Sequence, residues 1–257
     1  MNAQFSGPQI ALFLLVLARA GGLVVSAPVV GDPQTPRMVK AILAIALSVL
    51  LVQIPSVTRL TAPTDLLPFT ANVLAELVIG IALGLVARII FYAVQTAGGI
   101  VSFQTGVSLA SVLNPMTQQP DTMFSQLFTV LAGLTFLAVH GDVLVLASLA
   151  RSYDLAPVTG SGISTQLLGN LVNDFTDIGR LGLQIAMPIG VSVFAANLIL
   201  GVLSRALPQL NLFVLSMPLD MLLGLVALGG ALAGITLAVS QLTNTMPQAM
   251  LGLFPTP

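Results

Sequence analysis

No cysteine and no tryptophan occur in the 257 residues, there is one histidine, and charged side chains make up only 7%. Without cysteine there is no disulfide framework, no thiol nucleophile and no thiolate metal site. A lone histidine, His140, rules out a multi-histidine metal centre within one chain. Eight scattered basic residues against nine acidic ones leave a formal net charge of −1. With no polybasic tract, neither nucleic acid nor an anionic lipid surface is implied as a partner. No G-x-S-x-G, H-E-x-x-H or phosphate loop is present. Catalysis and bound cofactors are therefore not expected.

What fills the chain is apolar, at 56% hydrophobic residues. A soluble domain would carry roughly half its composition as polar residues. Burial in a membrane is the remaining class, and the chain reads as an all-α integral membrane protein. Its opening, MNAQFSGPQIALFLLVLARAGG, has no basic stretch before the apolar run, so that run is read as mature protein rather than a removable signal.

A hydrocarbon core of about 30 Å takes roughly 20 residues of helix. Candidate runs are Ile10–Val30, Val39–Ile54, Leu74–Val94, Met123–Ala150, Ile178–Leu207 and Leu212–Leu242. Arg19 interrupts the first, Pro55 closes the short second, and Glu76 and Arg88 bracket the third. His140 and Asp142 lie in the fourth, Pro188 breaks the fifth, and Pro218 and Asp220 interrupt the sixth. Charges and prolines at membrane depth need protein or water beside them. These helices are thus expected to pack on protein over much of their surface, with kinks at Pro188 and Pro218. The GxxxG pairs Gly80–Gly84 and Gly230–Gly234 fit close backbone approach. Glu76 and Arg88 are about 18 Å apart along a helix and cannot pair within it. Arg19 is a possible partner for Glu76; snorkelling to the interface is the alternative. The basic residues Arg37, Lys40 and Arg205 favour cytoplasmic loops and external termini, with Arg59 and Arg151 against that topology.

Two polar segments stand apart. In QTAGGIVSFQTGVSLASVLNPMTQQPDTMFSQ, a helix wheel gathers Gln95, Gly98, Gly99, Ser102, Thr105 and Gly106, with Ile100, Phe103 and Val107 facing away. Such a stripe suits either an aqueous path or a closely docked helix. Asn114-Pro115 is expected to stop that helix. In ARSYDLAPVTGSGISTQLLGNLVNDFTDIGR the Pro-Val-Thr-Gly-Ser-Gly centre reads as loop, and Asn173, Asp174 and Asp177 before Arg180 read as a helix start. His140-Gly141-Asp142 suits a packing or loop role better than a proton relay, because adjacent helical residues do not face each other.

Four stretches carry a resemblance. They are LARAGGLVVSAPVVG, ELVIGIALGLVARIIFYAVQTAGGIVSFQTGVSLASVLNP, FLAVHGDVLVLASLARSYDLAP and GVLSRALPQLNLFVLSMPLDMLLGL. Together they resemble the FliR family, the R subunits of the flagellar type III protein-export gate, and the related T subunits of injectisomes. The sharpest marker is Arg-x-x-Pro-Gln-x-Asn at 205–211, and the QTG and SQL elements lean flagellar. Asn114 stands where the family often has Asp, His140-Gly141 reverses the usual order, and Asp220 replaces what is often a basic residue.

The resemblance implies a core subunit lining part of the pore for unfolded export substrates, in a helical complex with FliP-like and FliQ-like subunits. FlhB-like and FlhA-like export components would be neighbours, in the bacterial inner membrane within the flagellar basal body. It implies a P-like part over 1–175 and a Q-like kinked helical hairpin and tail over 176–257. A plug loop at 106–119 is implied, with Gly106, Asn114, Pro115, Met116 and Gln118 as its gate residues. Gln95, Gly98, Ser102 and Thr105 would line the pore or pack helices closely. Arg19, Glu76, Arg88, Arg205, Gln209 and Asn211 are candidates for intersubunit or buried polar contacts. The stretch Ser204–Phe213 would be the hairpin turn, ended by Pro208 and capped by Gln209 or Asn211, and a docking point on the cytoplasmic side. A secondary transporter with Pro-broken helices is the rival class. A scaffold that does not line the pore is the other.

Overall fold

In the computed structural model, residues 7–58, 65–108, 123–158, 165–206 and 212–254 are described. The elements there are all helical: α1 (Gly7–Ser26), α2 (Arg37–Leu51), the single turn α3 (Pro55–Thr58), α4 (Leu66–Gln104), α5 (Met123–Ala138), α6 (Gly141–Leu155), α7 (Thr165–Ala206) and α8 (Leu212–Leu251). Among these residues, four helices are long and apolar enough to cross a membrane: Gly7–Ser26, Leu66–Gln104, Gly169–Leu203 and Pro218–Leu251. The protein is an integral membrane protein of helical architecture.

Proline and glycine set most of the boundaries. α1 ends just before Ala27-Pro28, where a proline cannot extend the hydrogen-bond ladder. Pro36, at φ −55° and ψ 136°, caps the start of α2 in the extended conformation. α4 stops at Gln104, ten residues short of the break expected at Asn114-Pro115. Its terminator is Gly106, at φ 73°, a left-handed conformation that glycine adopts without a Cβ clash. Thr105 N–H donates to the Val101 carbonyl at 2.9 Å, and Gly106 N–H to Phe103 at 3.2 Å, closing the helix end.

Three expectations from the apolar runs are corrected. The Met123–Ala150 run is two helices, because His140 takes φ 56° between α5 and α6. Its carbonyl then accepts from Leu144 N–H and starts α6, with Asp142 in the first, positive turn. The helix start read at Asn173–Asp177 falls well inside α7, which begins at Thr165. Pro188 does not divide the fifth run, since α7 continues through it. The helices are also longer than the apolar runs. At 39, 42 and 40 residues, α4, α7 and α8 extend about 60 Å each, twice a hydrocarbon core.

The chain divides into two compact units. The first holds residues 1–89, 140–175 and 243–257; the second holds 90–139 and 176–242. In the first, Leu15, Val16, Ala20 and Leu23 of α1 are buried with Ile79, Leu83 and Ala87 of α4 and with Leu149 and Tyr153 of α6. In the second, Ala93, Ala97 and Val101 are buried with Phe124, Phe128 and Ala132 of α5, Ile189 and Val193 of α7, and Leu228 and Ile235 of α8. Phe91 and Phe136 meet there edge to face, with ring centroids 5.5 Å apart.

Candidate functional site

Among the described residues, buried polar chemistry is concentrated in two places, one in each unit. The first is built on a glycine contact. A Cβ on Gly80 would fall on the Arg19 carbonyl oxygen, and one on Gly84 would fall on the Ser26 hydroxyl. Only bare backbone lets α1 lie this close to α4. Glu76, one turn before Gly80, is thereby set beside the Arg19 side chain. Arg19 Nε donates to Glu76 Oε2 at 2.5 Å and Nη2 to Oε1 at 2.9 Å, a bidentate pair with both side chains fully buried.

Two further guanidinium hydrogens are also used. Nη1 donates to Ser152 Oγ at 3.0 Å and Nη2 to the Ala156 carbonyl at 2.7 Å. The Tyr153 ring lies against the guanidinium, its centroid 4.3 Å from Cζ. Of the two readings of Glu76, pairing with Arg19 is therefore the one realised. Arg88, farther along α4, is half-buried.

The second place is the end of α4 in the other unit. Gly98, Ser102 and Thr105 are buried, Gln95 is half-buried, and Phe103 is exposed, as a stripe on one side of a helix requires. A Cβ on Gly98 would stand 2.6 Å from Ser125 Cα, so α5 packs on bare backbone there, and Ser125 Oγ donates to the Gln95 carbonyl at 3.2 Å. Gly224 of α8 sits similarly against the Thr105 methyl. Within this chain the stripe is helix-packing surface. Next to it, the Gln104 amide fills the notch left by Gly190, and a cavity of about 210 Å³ opens beside it, lined by Ile100, Met187, Val191 and Phe194. Gln104 Oε1 is buried with no hydrogen-bond partner among the described residues.

Of the gate residues, Gly106 is the described one, at the turn that ends α4. Asn114, Pro115, Met116 and Gln118 lie outside the described residues, as do Gln209 and Asn211 of the expected hairpin turn. Arg205 is in the last turn of α7, and its side chain lies outside the description.

A geometry of buried polar clusters on long apolar helices is shared by many membrane proteins, so comparison with known sequences decides the family. Residues 10–246 match the family described as bacterial export proteins, family 1. The chain belongs to that family. Among its relatives is the flagellar biosynthetic protein FliR of Aquifex aeolicus, 32% identical over 83% of this chain and 82% of the relative. The FliR of Caulobacter vibrioides is 29% identical over 92% and 94%. The Yop proteins translocation protein T of Yersinia pestis is 33% identical over 56% of each chain.

Within this member of the export family, several partners escaped the sequence. Ser152 and Tyr153 complete the Arg19 site, yet they lie 133 and 134 residues away in sequence. The available signal was weak: a hydroxyl and one of only two tyrosines sit next to each other in an apolar helix. Asn197 was also missed. Its amide faces the buried Asp220 carboxylate across α7 and α8. Facing positions are roughly symmetric about the 207–211 connection, which is the signal that would have paired them.

Proposed function

We propose that this chain is the R-type core subunit of a flagellar type III export gate, forming part of the pore through which unfolded polypeptide leaves the cell. The observation that carries this reading is the family match over residues 10–246, with flagellar relatives aligned over more than four-fifths of both chains. The similarity to the Yop translocation protein covers little more than half of each chain, which favours the flagellar system over the injectisome. In this reading the chain joins FliP-like and FliQ-like subunits in the cytoplasmic membrane, beside FlhB-like and FlhA-like components. Residues 1–175 act as the P-like part and 176–257 as the Q-like hairpin.

The mechanism is conduction, not catalysis. An idle gate must exclude ions, and a polar loop held in an apolar constriction does so by denying water a continuous path. The segment 106–119 is the plug in this proposal, with Gly106, Asn114, Pro115, Met116 and Gln118 as its gate residues and Met116 and Gln118 near its tip. The close helix packing at Gly98 and Thr105 leads directly into that turn. Arg205, Gln209 and Asn211 form the docking turn toward the cytoplasmic components.

The test is native mass spectrometry of the tagged chain co-expressed with P-type and Q-type partners and extracted in mild detergent. A large assembly containing one copy of this chain is expected. Recovery as a monomer or small homo-oligomer, with the partners demonstrably present, would overturn the proposal in favour of a transporter. Deleting 110–118 in the intact assembly should then produce an ion leak without loss of the complex.

A further inference from the structure

Asp220 is the sole charged residue of α8 and is 7% exposed. Buried carboxylates in apolar surroundings are normally held by a cation. Glu76 in this same chain follows that rule, clamped by a guanidinium. Among the described residues Asp220 has no such cation: the group that meets it is the side-chain amide of Asn197 on α7, which, with its NH2 assigned to the carboxylate side, lies 3.0 Å from Oδ1 and 3.1 Å from Oδ2. Asn197 is nine residues before the end of α7, and Asp220 is eight residues after the start of α8. The two therefore form one rung of the α7–α8 hairpin, about 13 Å from its connection.

An amide differs from a guanidinium in one decisive respect. Arginine only donates, so it stabilises the carboxylate alone; asparagine both donates and accepts. With Asp220 ionised, the Asn197 NH2 group donates to its oxygens. With a proton on Asp220, the acid O–H donates to Asn197 Oδ1 after the amide rotates by half a turn. Both states keep the buried group hydrogen-bonded, so neither incurs the cost of an orphaned polar atom.

Among the described side chains no charge fixes the choice. Gly224, one turn beyond Asp220, faces Thr105 and Phe124. The stretch of α4 from Ile90 to Gln104 has Tyr92 as its one titratable group, and α5 has none. On α7, Arg180 is seventeen residues from Asn197, about 25 Å along the axis, and Asp177 is farther still. Arg205 lies eight residues beyond Asn197, about 12 Å toward the connection.

We propose that Asp220 is a reversible proton-binding site of the hairpin, read out by the orientation of the Asn197 amide. Because Asn197 is half-buried, its outward end changes with the proton. It presents a carbonyl acceptor when Asp220 is ionised and NH2 donors when Asp220 is protonated. Proton occupancy is thus converted into hydrogen-bond polarity on the face of α7. This inference does not depend on the export-gate reading.

The experiment is infrared difference spectroscopy on the full chain, in the complex in which it purifies, with 13C-labelled aspartate, between mildly acidic and mildly alkaline pH. The expected result is a carboxylic-acid carbonyl band that is lost as pH rises, with on the order of one proton released per chain. The same step should shift an asparagine amide carbonyl. The band should be missing in Asp220→Asn and shifted in Asp220→Glu, which remains informative if the first variant does not fold. Asn197→Arg places a guanidinium on the rung as at Glu76, and should remove the band at every pH. A carboxylate spectrum for Asp220 throughout the range in the unaltered chain overturns the proposal; restoration of the acid band by Arg205→Ala would then identify Arg205 as the cation that holds it. An acid band at every pH also overturns it.

Discussion

Replacing Arg19 by methionine tests the first unit most directly. The change keeps much of the side-chain volume but removes the two bonds to Glu76, the bond to Ser152 and the bond to the Ala156 carbonyl. It leaves the Glu76 carboxylate buried at 0% exposure without its counter-charge. Losing one partner of such a pair costs about 3–5 kcal/mol. At 1.36 kcal/mol per tenfold, that is a loss of about 10²- to 10⁴-fold in the folded-to-unfolded ratio. Arg19→Met/Glu76→Leu removes both charges and should recover most of this, because an apolar replacement of a buried pair is often neutral or better. The assay is thermal unfolding in detergent for the two single variants and the double, arranged as a double-mutant cycle. The expected coupling is at least about 2 kcal/mol. An Arg19→Met chain within about 1 kcal/mol of the parent, or a double variant no better than the singles, would falsify the account of the pair as a mutual necessity.

The glycines give a paired prediction. Gly80→Ala puts a Cβ on the Arg19 backbone and should abolish the folded first unit, whereas a Cβ at Gly230 meets no described atom within 4 Å, so Gly230→Ala should not lower the chain's own melting temperature. Equal losses at both positions would refute the packing argument. Gly106→Ala forces a Cβ into φ 73° and should cost about 1 kcal/mol, measurable as a lower midpoint in the same melts. Lys40 Nζ donates to the Gly31 and Asp32 carbonyls, at 3.1 and 2.8 Å. Lys40→Met should therefore speed proteolysis between Ala27 and Thr35 several-fold without moving the global midpoint, and unchanged cleavage would count against that clamp. Amide hydrogen exchange should be faster at Gln95–Gln104 than at Leu15–Leu23, because hydroxyl and amide contacts are weaker than a buried ion pair; the reverse order would contradict this ranking.

The architecture was legible where composition alone decides it. Scarce charge and long apolar runs leave helices in a membrane as the one economical solution. The small-residue stripe on α4 could be read as well, since Gly98, Ser102 and Thr105 recur at helical spacing. Helix ends were less accessible. Hydropathy falls at Gln95 although the helix continues to Gln104, and the Leu167, Leu171, Val172 spacing that carries α7 back to Thr165 is hidden among polar residues. The break at His140 depends on a left-handed residue that is not glycine, an uncommon conformation even though histidine adopts it more often than most residues. Arg19 and Glu76 could be named as possible partners but not joined. Joining them requires knowing that Gly80 seats the Arg19 backbone, a tertiary fact that the GxxxG spacing only permits. The second GxxxG pair makes the point: Gly230 and Gly234 have the same spacing, and a Cβ on either would meet nothing among the described residues.

The two units handle buried polarity in opposite ways, and the difference bears on which parts can rearrange. In the first, a guanidinium making four hydrogen bonds holds three segments, and moving any one strands a charge at a cost of about 3–5 kcal/mol. In the second, at the end of α4, the contacts are a serine hydroxyl to a carbonyl and a threonine back-bonded to its own helix. Each neutral bond is worth about 0.5–1.5 kcal/mol net and can be exchanged for another donor or acceptor without stranding a charge. A helix end built from such groups can release and re-form its contacts within thermal reach, while a buried bidentate ion pair cannot. The turn at Gly106 belongs to the exchangeable set, so the segment proposed to open and close begins where this chain has made its polar contacts cheapest to rearrange.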